Sequence, residues 1–149
     1  MNRNKVLLSK SGFTLIEMLI VVAIACLIVP LSFLTFSQLS DEQTMEDFVE
    51  QCQDTLNNAQ MTALADSSPV TVTFDNSRHL VLVDKNTVTF DSFSFDKRMV
   101  VEKATHDLNL VILRNGHFQK PGSLFFILGH IKYKLVILLG QGRFYFEKQ

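Results

Sequence analysis

Residues 13–36 read Phe13-Thr-Leu-Ile-Glu-Met-Leu-Ile-Val-Val-Ala-Ile-Ala-Cys-Leu-Ile-Val-Pro-Leu-Ser-Phe-Leu-Thr-Phe36, a run of 24 residues with one charged side chain, Glu17. A run this long and this apolar can cross the hydrocarbon core of a bilayer, so it predicts a transmembrane helix. Arg3, Lys5 and Lys10 precede it and no acid lies in residues 1–12. That bias predicts a single pass with the N-terminus cytoplasmic and the C-terminal part outside. A secretory signal would read the same residues differently, with Ala23-Ile-Ala25 as its cleavage site, or with Cys26 as the lipidated residue of a lipoprotein. Two features count against both. The apolar run continues for ten residues beyond Cys26, and Glu17 interrupts what should be an unbroken apolar region.

Working outward from this segment, the 149 residues leave room for one further domain, and the 47% hydrophobic content is inflated by the run itself. Charge is divided just as unevenly. The whole chain has 14 basic and 15 acidic side chains, and removing residues 1–12 leaves 11 and 15, a formal net charge of −4. A mildly acidic remainder is poorly suited to broad binding of a polyanion such as DNA, so any nucleic-acid role needs a local patch. Cys26 and Cys52, on one continuous helix, would stand roughly 39 Å apart at ~1.5 Å per residue, beyond disulfide reach. They are expected to be free, or paired between subunits.

Glu17 is the residue that the physics of a membrane singles out. A carboxylate at the middle of a membrane helix costs up to about 3 kcal/mol on insertion scales, so it calls for a partner. Cleavage between Gly12 and Phe13 would create an α-amino cation at a similar depth, able to pair with Glu17 between neighbouring subunits. Alternatively Glu17 snorkels to the interface from near the helix start. Both readings stand on the residues alone.

The segment Lys10-Ser-Gly-Phe-Thr-Leu-Ile-Glu17 resembles the class III signal of type IV pilins and type II secretion pseudopilins. The resemblance implies that a prepilin peptidase cuts after Gly12, that Phe13 becomes N-methylated, and that Glu17 docks on the N-terminus of an adjacent subunit. It also implies partners: the major pseudopilin and other minor ones, and, indirectly, an assembly ATPase and a membrane platform protein. Pro30 removes one helical hydrogen bond and weakens the turn at Cys26. In the family a helix-breaking proline sits a few residues further along, so local melting of this helix stays open beside ordinary toleration of proline in a membrane helix.

After Phe36 the pattern becomes amphipathic. Met45, Phe48, Val49, Cys52, Leu56, Ala59 and Ala63 recur at three- and four-residue spacing, which predicts a helical continuation over 37–66 with one apolar face. Ser40-Asp-Glu-Gln43 would form a capping box if the helix restarted there. Asp66-Ser-Ser-Pro69 ends the helix, and β-rich runs follow at 70–74, 79–83, 87–95, 99–102, 108–114, 123–128, 133–139 and 143–147. Asn115-Gly116, Pro121-Gly122 and Gly140-Gln-Gly142 supply turns. The expected fold is α+β and pilin-like: a cleaved leader (1–12), a long N-terminal helix with a transmembrane half (13–36) and an amphipathic half (37–66), and an antiparallel β domain (67–149), its sheet perhaps split in two, wrapped over the helix. Many of the 13 phenylalanines are expected in its core.

No catalytic constellation is present: there is no Gly-x-Ser-x-Gly elbow, no phosphate-binding glycine loop and no Cys-x-x-Cys pair. His79, His106, His117 and His130 are scattered without metal-ligand spacing. No enzymatic activity, cofactor or metal is expected. Lys132 and Lys134 share one face of a strand and with Tyr133 form the candidate DNA contact, Tyr133 stacking on a base only if strand twist or an edge position exposes it; Lys97, Arg98 and Lys120 could extend the patch. Two strand lysines are more often a solvated or edge-protecting face. The C-terminal run from Tyr133 to Lys148, with its Gly-x-Gly-Arg turn, resembles the ending of minor pseudopilins of the Gram-positive competence system. The implied role is a minor subunit of a filament that brings DNA across the envelope, sited at the cell membrane, with DNA contacted indirectly. Protein export by a type II secretion filament, or a membrane-anchored binding protein that never polymerises, are the alternatives.

Overall fold

A computed structural model describes residues 14–138, 140 and 142–149, with the side chains of residues 29–39 left outside the description. Its elements are α1 (Leu15–Ala65), β1 (Val70–Asp75), β2 (Leu80–Lys85), β3 (Val88–Ser94), β4 (Val100–Lys103), β5 (Asn109–Ile112), β6 (Gly122–Leu128), β7 (Ile131–Ile137) and β8 (Phe144–Lys148). The chain divides into two compact units, residues 1–38 and residues 39–149. The described part of the first is helix alone, and its large apolar side chains from Leu15 to Ile28 are exposed.

Helix α1 ends where its backbone can no longer continue. Ser67 takes a left-handed conformation (φ 47°), and the Ser68 N–H reaches back to the Ala63 carbonyl at 3.2 Å, satisfying a terminal acceptor in the manner of a Schellman cap. Pro69 then starts the chain on an extended path. At Ser40 there is no restart. The Thr44 hydroxyl donates to the Ser40 carbonyl one turn back (2.8 Å) inside an unbroken helix, so the condition for a capping box at Ser40 to Gln43 is not met.

The strands form two antiparallel sheets, ordered β3-β2-β1-β5 (sheet A) and β4-β6-β7-β8 (sheet B). Every expected strand is present, with ends moved by a few residues. The largest shift is at β7, which runs two residues earlier at both ends, and β2 starts at Leu80 because His79 is a turn residue at φ 53°. Two-residue turns set two hairpins: Asn86-Thr87, both at positive φ, joins β2 to β3, and Gly129-His130 joins β6 to β7. The second fixes a register in which Phe125 faces Lys134 and Ile127 faces Lys132.

Within the 39–149 unit, the apolar stripe of α1 fills the space against both sheets. Met45, Cys52, Leu56 and Ala63 are fully buried, and the Phe48 ring lies 5.1 Å from Phe126 of sheet B and 6.0 Å from Phe93 of sheet A, centroid to centroid. Phe74 and Phe126 join the sheets directly at 5.4 Å. Each such side chain contributes about 1.5–3 kcal/mol of burial, so this core holds the unit together. Further along the helix, Gln60 donates to the carbonyls of Gly116 (2.7 Å) and Gly142 (2.6 Å), pinning two turns to α1. Only glycine fits at 142, where φ is 62° and a Cβ would lie 2.9 Å from the Gly116 oxygen.

Candidate functional site

Three features lie outside the hydrophobic core: the start of α1, the acidic turn of α1 at Asp41 and Glu42, and the outer face of sheet B. Gly12 and Phe13 lie outside the described residues. Thr14 and Glu17 do not, and they bond reciprocally: the Glu17 N–H donates to Thr14 Oγ1 (3.3 Å) and the Thr14 N–H to Glu17 Oε2 (3.4 Å). This is a capping box, T-x-x-E, which sequence reasoning missed although its signature stands in the quoted stretch. It gives the carboxylate a role within its own chain: it satisfies an orphan donor and sits at the positive end of the helix dipole. Glu17 remains exposed, so an oxygen lone pair is still open to a cation from elsewhere.

From Leu15 to Ile28 the helix presents apolar side chains all round; Leu15 is 84% exposed and Leu27 71%. Cys26 is free and exposed. Among the described residues no helix is long and apolar enough to cross a membrane, and the segment expected to do so, 13–36, extends beyond them. The backbone stays helical through Pro30.

Where α1 enters the second unit, two successive acids tie it to different parts of the β structure. Asp41 accepts from Arg98 (2.8 Å), which also forms a two-pronged pair with Asp96 in the β3–β4 connection. Glu42 pairs with Lys148 at the end of β8. Hydrogen bonding and the charge of Lys148 hold the Glu42 carboxyl below its ordinary value, and Glu42 raises the lysine. Arg98 likewise holds Asp96 low, through side-chain and backbone hydrogen bonds. These pairs are exposed and individually weak, so they direct the helix more than they stabilise it.

The trio Lys132, Tyr133 and Lys134 is divided by strand alternation. Tyr133 pairs with Phe126 and packs against the core. Lys132 and Lys134 project to the outer face, where both reach Phe125, their ammonium groups 3.7 and 6.0 Å from the ring centroid. In the same cross-strand row Lys134 stands between Phe125 and Glu147, and Glu102 faces Phe125 from β4. The two cations are therefore matched by two acids. Arg98 and Lys120 do not extend the patch as one surface: Arg98 is committed to Asp41 and Asp96, and Lys120 lines a cleft beside β4 and β5.

The four histidines are not gathered, and among the described residues no group of three or more His, Cys, Asp or Glu side chains could hold a metal. His106 is buried and its Nδ1 is 2.8 Å from the Asp107 carbonyl, while His79 lies edge-on to Phe95. Cys52 is fully buried, which pushes its thiol far above the usual range and leaves it unable to meet a partner subunit.

Residues 7–29 match the prokaryotic N-terminal methylation motif. No curated protein matches the sequence. Among solved structures, the fold is similar to that of the minor pseudopilin EpsH from the Type 2 Secretion System of Vibrio cholerae, with a TM-score of 0.53 and 10% identity over 69% of this chain and 95% of that one. The chain thus carries a prokaryotic N-terminal methylation motif on a polypeptide with the α+β fold of a minor pseudopilin.

Proposed function

We propose that the chain is a minor, type IV pilin-like pseudopilin of a competence filament, needed to assemble or initiate that filament and so for DNA uptake across the envelope. The observation that carries the pseudopilin reading is the methylation motif at residues 7–29, placed so that it runs into an exposed apolar helix bearing Glu17. In this reading prepilin peptidase cuts the Gly12/Phe13 bond and Phe13 is N-methylated. The helix of residues 13–36 first spans the membrane with its N-terminus cytoplasmic. Neighbouring pseudopilins then replace lipid around it, and Glu17 meets the new α-amino group of an adjacent subunit while keeping its bond to Thr14. The chain is structural and not an enzyme. Support for competence comes from the resemblance of residues 133–148 to the ending of ComGD, and the matched charges around Lys132 and Lys134 favour an indirect relation to DNA. A second reading, export of proteins by a type II secretion filament, has the fold likeness to EpsH in its favour.

The first test is mass spectrometry of the mature N-terminus. An N-methylated Phe13 is expected; an acylated Cys26 or a retained Met1 sinks the filament reading. The second separates the two cargoes: deleting the gene should abolish transformation and leave protein export intact, whereas the reverse outcome assigns the chain to secretion.

A further inference from the structure

β4 and β5 are joined by residues 104–108, yet they belong to different sheets and each is the last strand of its own, the far end of β5 being bridged by residues 117–119 through Ile112 and Phe118. Between them lies a cleft of about 860 Å³. Its walls are strand edges, and the hydrogen bonds that remain open there can be read from the ladders. The Ala104 N–H donates to the Ser123 carbonyl, continuing the β4–β6 pairing, so peptide groups of alternate residues face β6 and those of Val101 and Lys103 face the cleft. On the other wall the Phe74 N–H donates to the Leu108 carbonyl, so Leu108, Leu110 and Ile112 face β1 while Asn109 and Val111 face outward.

One of these outward positions is already filled by an amide. The Asn76 side chain donates to the Val101 carbonyl (2.8 Å) and accepts from the Val101 N–H (2.9 Å), the two bonds a neighbouring strand would make. The Val111 carbonyl is taken by the Gln119 N–H at 2.8 Å. Among the described residues, the N–H and C=O of Lys103, the N–H and C=O of Asn109 and the N–H of Val111 have no partner. Lys103 is two residues from the Asn76-capped position, the spacing of successive outward peptide groups on a strand. Charges on the rim are balanced, Glu102 and Asp107 against Lys103 and Lys120, which offers nothing to a polyanion.

We propose that the β4/β5 cleft is a binding site for an extended, uncharged polypeptide segment of another protein chain, docked by strand addition at Lys103 and Asn109 with the Asn76 amide marking its end. Affinity comes from backbone hydrogen bonds and is therefore tolerant of side-chain identity. The site goes beyond the filament reading and does not depend on whether DNA or protein is the cargo.

The test uses the full chain, ¹⁵N-labelled in detergent micelles, with the capped peptide acetyl-(Thr-Val)₃-amide as probe. Expected are concentration-dependent shifts of the Lys103, Asn109 and Val111 amides and a slowing of their hydrogen exchange by about tenfold. The same peptide N-methylated at alternate amides should leave them unmoved. Asn109→Pro deletes one unpaired N–H at an edge where proline is tolerated, and should lose the peptide response with the β1–β5 ladder intact. Three results would overturn the proposal: no response of these amides at saturating peptide, an equal response to the N-methylated peptide, or a response to oligothymidylate in place of the peptide.

Discussion

The two halves of α1 are built from the same kinds of residue and end in opposite environments. Leu19, Ile20 and Val22 are each more than half exposed, whereas Met45, Cys52 and Leu56, four to seven residues apart further along the helix, are at 0%. Helical propensity does not separate them. What separates them is that residues 70–148 supply sheets for the second half, and within this chain nothing described covers the first. An apolar surface of that extent marks an interaction with lipid or with other chains. The helix is thus one continuous element with one satisfied face and one that other molecules must satisfy.

The sharpest way to test this contrast is to remove one apolar side chain from each half. Phe126→Ala opens a cavity among Phe48, Phe74 and Phe146 and should cost about 3–5 kcal/mol in denaturant unfolding of the 39–149 unit. Leu19→Ala should leave that transition unchanged and instead lower the fraction of the chain recovered in filaments. Equal stability losses from the two would show that the halves are not independent.

Next in size is Gln60→Ala, which leaves the Gly116 and Gly142 carbonyls without their donor. The expected loss is about 1–3 kcal/mol, with faster amide exchange confined to the two pinned turns. Glu17→Ala should fray the first turn by about 1 kcal/mol, seen as faster exchange at residues 15–18, with expression, leader cleavage and unfolding of the second unit intact. Filament incorporation should nevertheless be lost. Normal transformation in that variant would show that the carboxylate is only a cap.

The smallest expected effect is that of pH on the Glu42–Lys148 pair, which ties α1 to the end of β8. Glu42 is held low by Lys148, so its contribution is present above the unfolded carboxylate pKa, about 4.3, and is lost as pH falls through the depressed folded value. Lys148 is raised, so its share persists up to the unfolded lysine pKa, about 10.4, and disappears as pH rises through the folded one. Lys148→Met should flatten both limbs of the stability-against-pH curve, measured by thermal melts.

Most of the secondary structure was legible because alternation and turn residues are local signals. A sheet split in two was a readable option, but the strand order was not, since it depends on pairings such as Val70 with Ile112 that no short-range pattern encodes. Tyr133 teaches a different lesson. Period-two alternation sets it on the face opposite to Lys132 and Lys134, so it could join them only through strand twist or an edge position, and it packs against the core instead. Phe125 as the ring beneath both lysines was accessible too, because the two-residue turn Gly129-His130 fixes the register. A capping box at Ser40 depended on a helix restart that does not occur, and the Thr14-x-x-Glu17 spacing inside the apolar run is the one that caps the helix.

The pairing of Asp41 with Arg98 and of Glu42 with Lys148 also fastens one turn of α1 to two separate places. Among the described residues these acids are the first on α1 to bond to the β structure, ahead of the core residues from Met45 onward. Arg98 lies in the β3–β4 connection between the sheets, and Lys148 at the end of the terminal strand of sheet B. Exposed ion pairs exchange readily with water, so each fastening can open and close while the core that begins at Met45 stays shut.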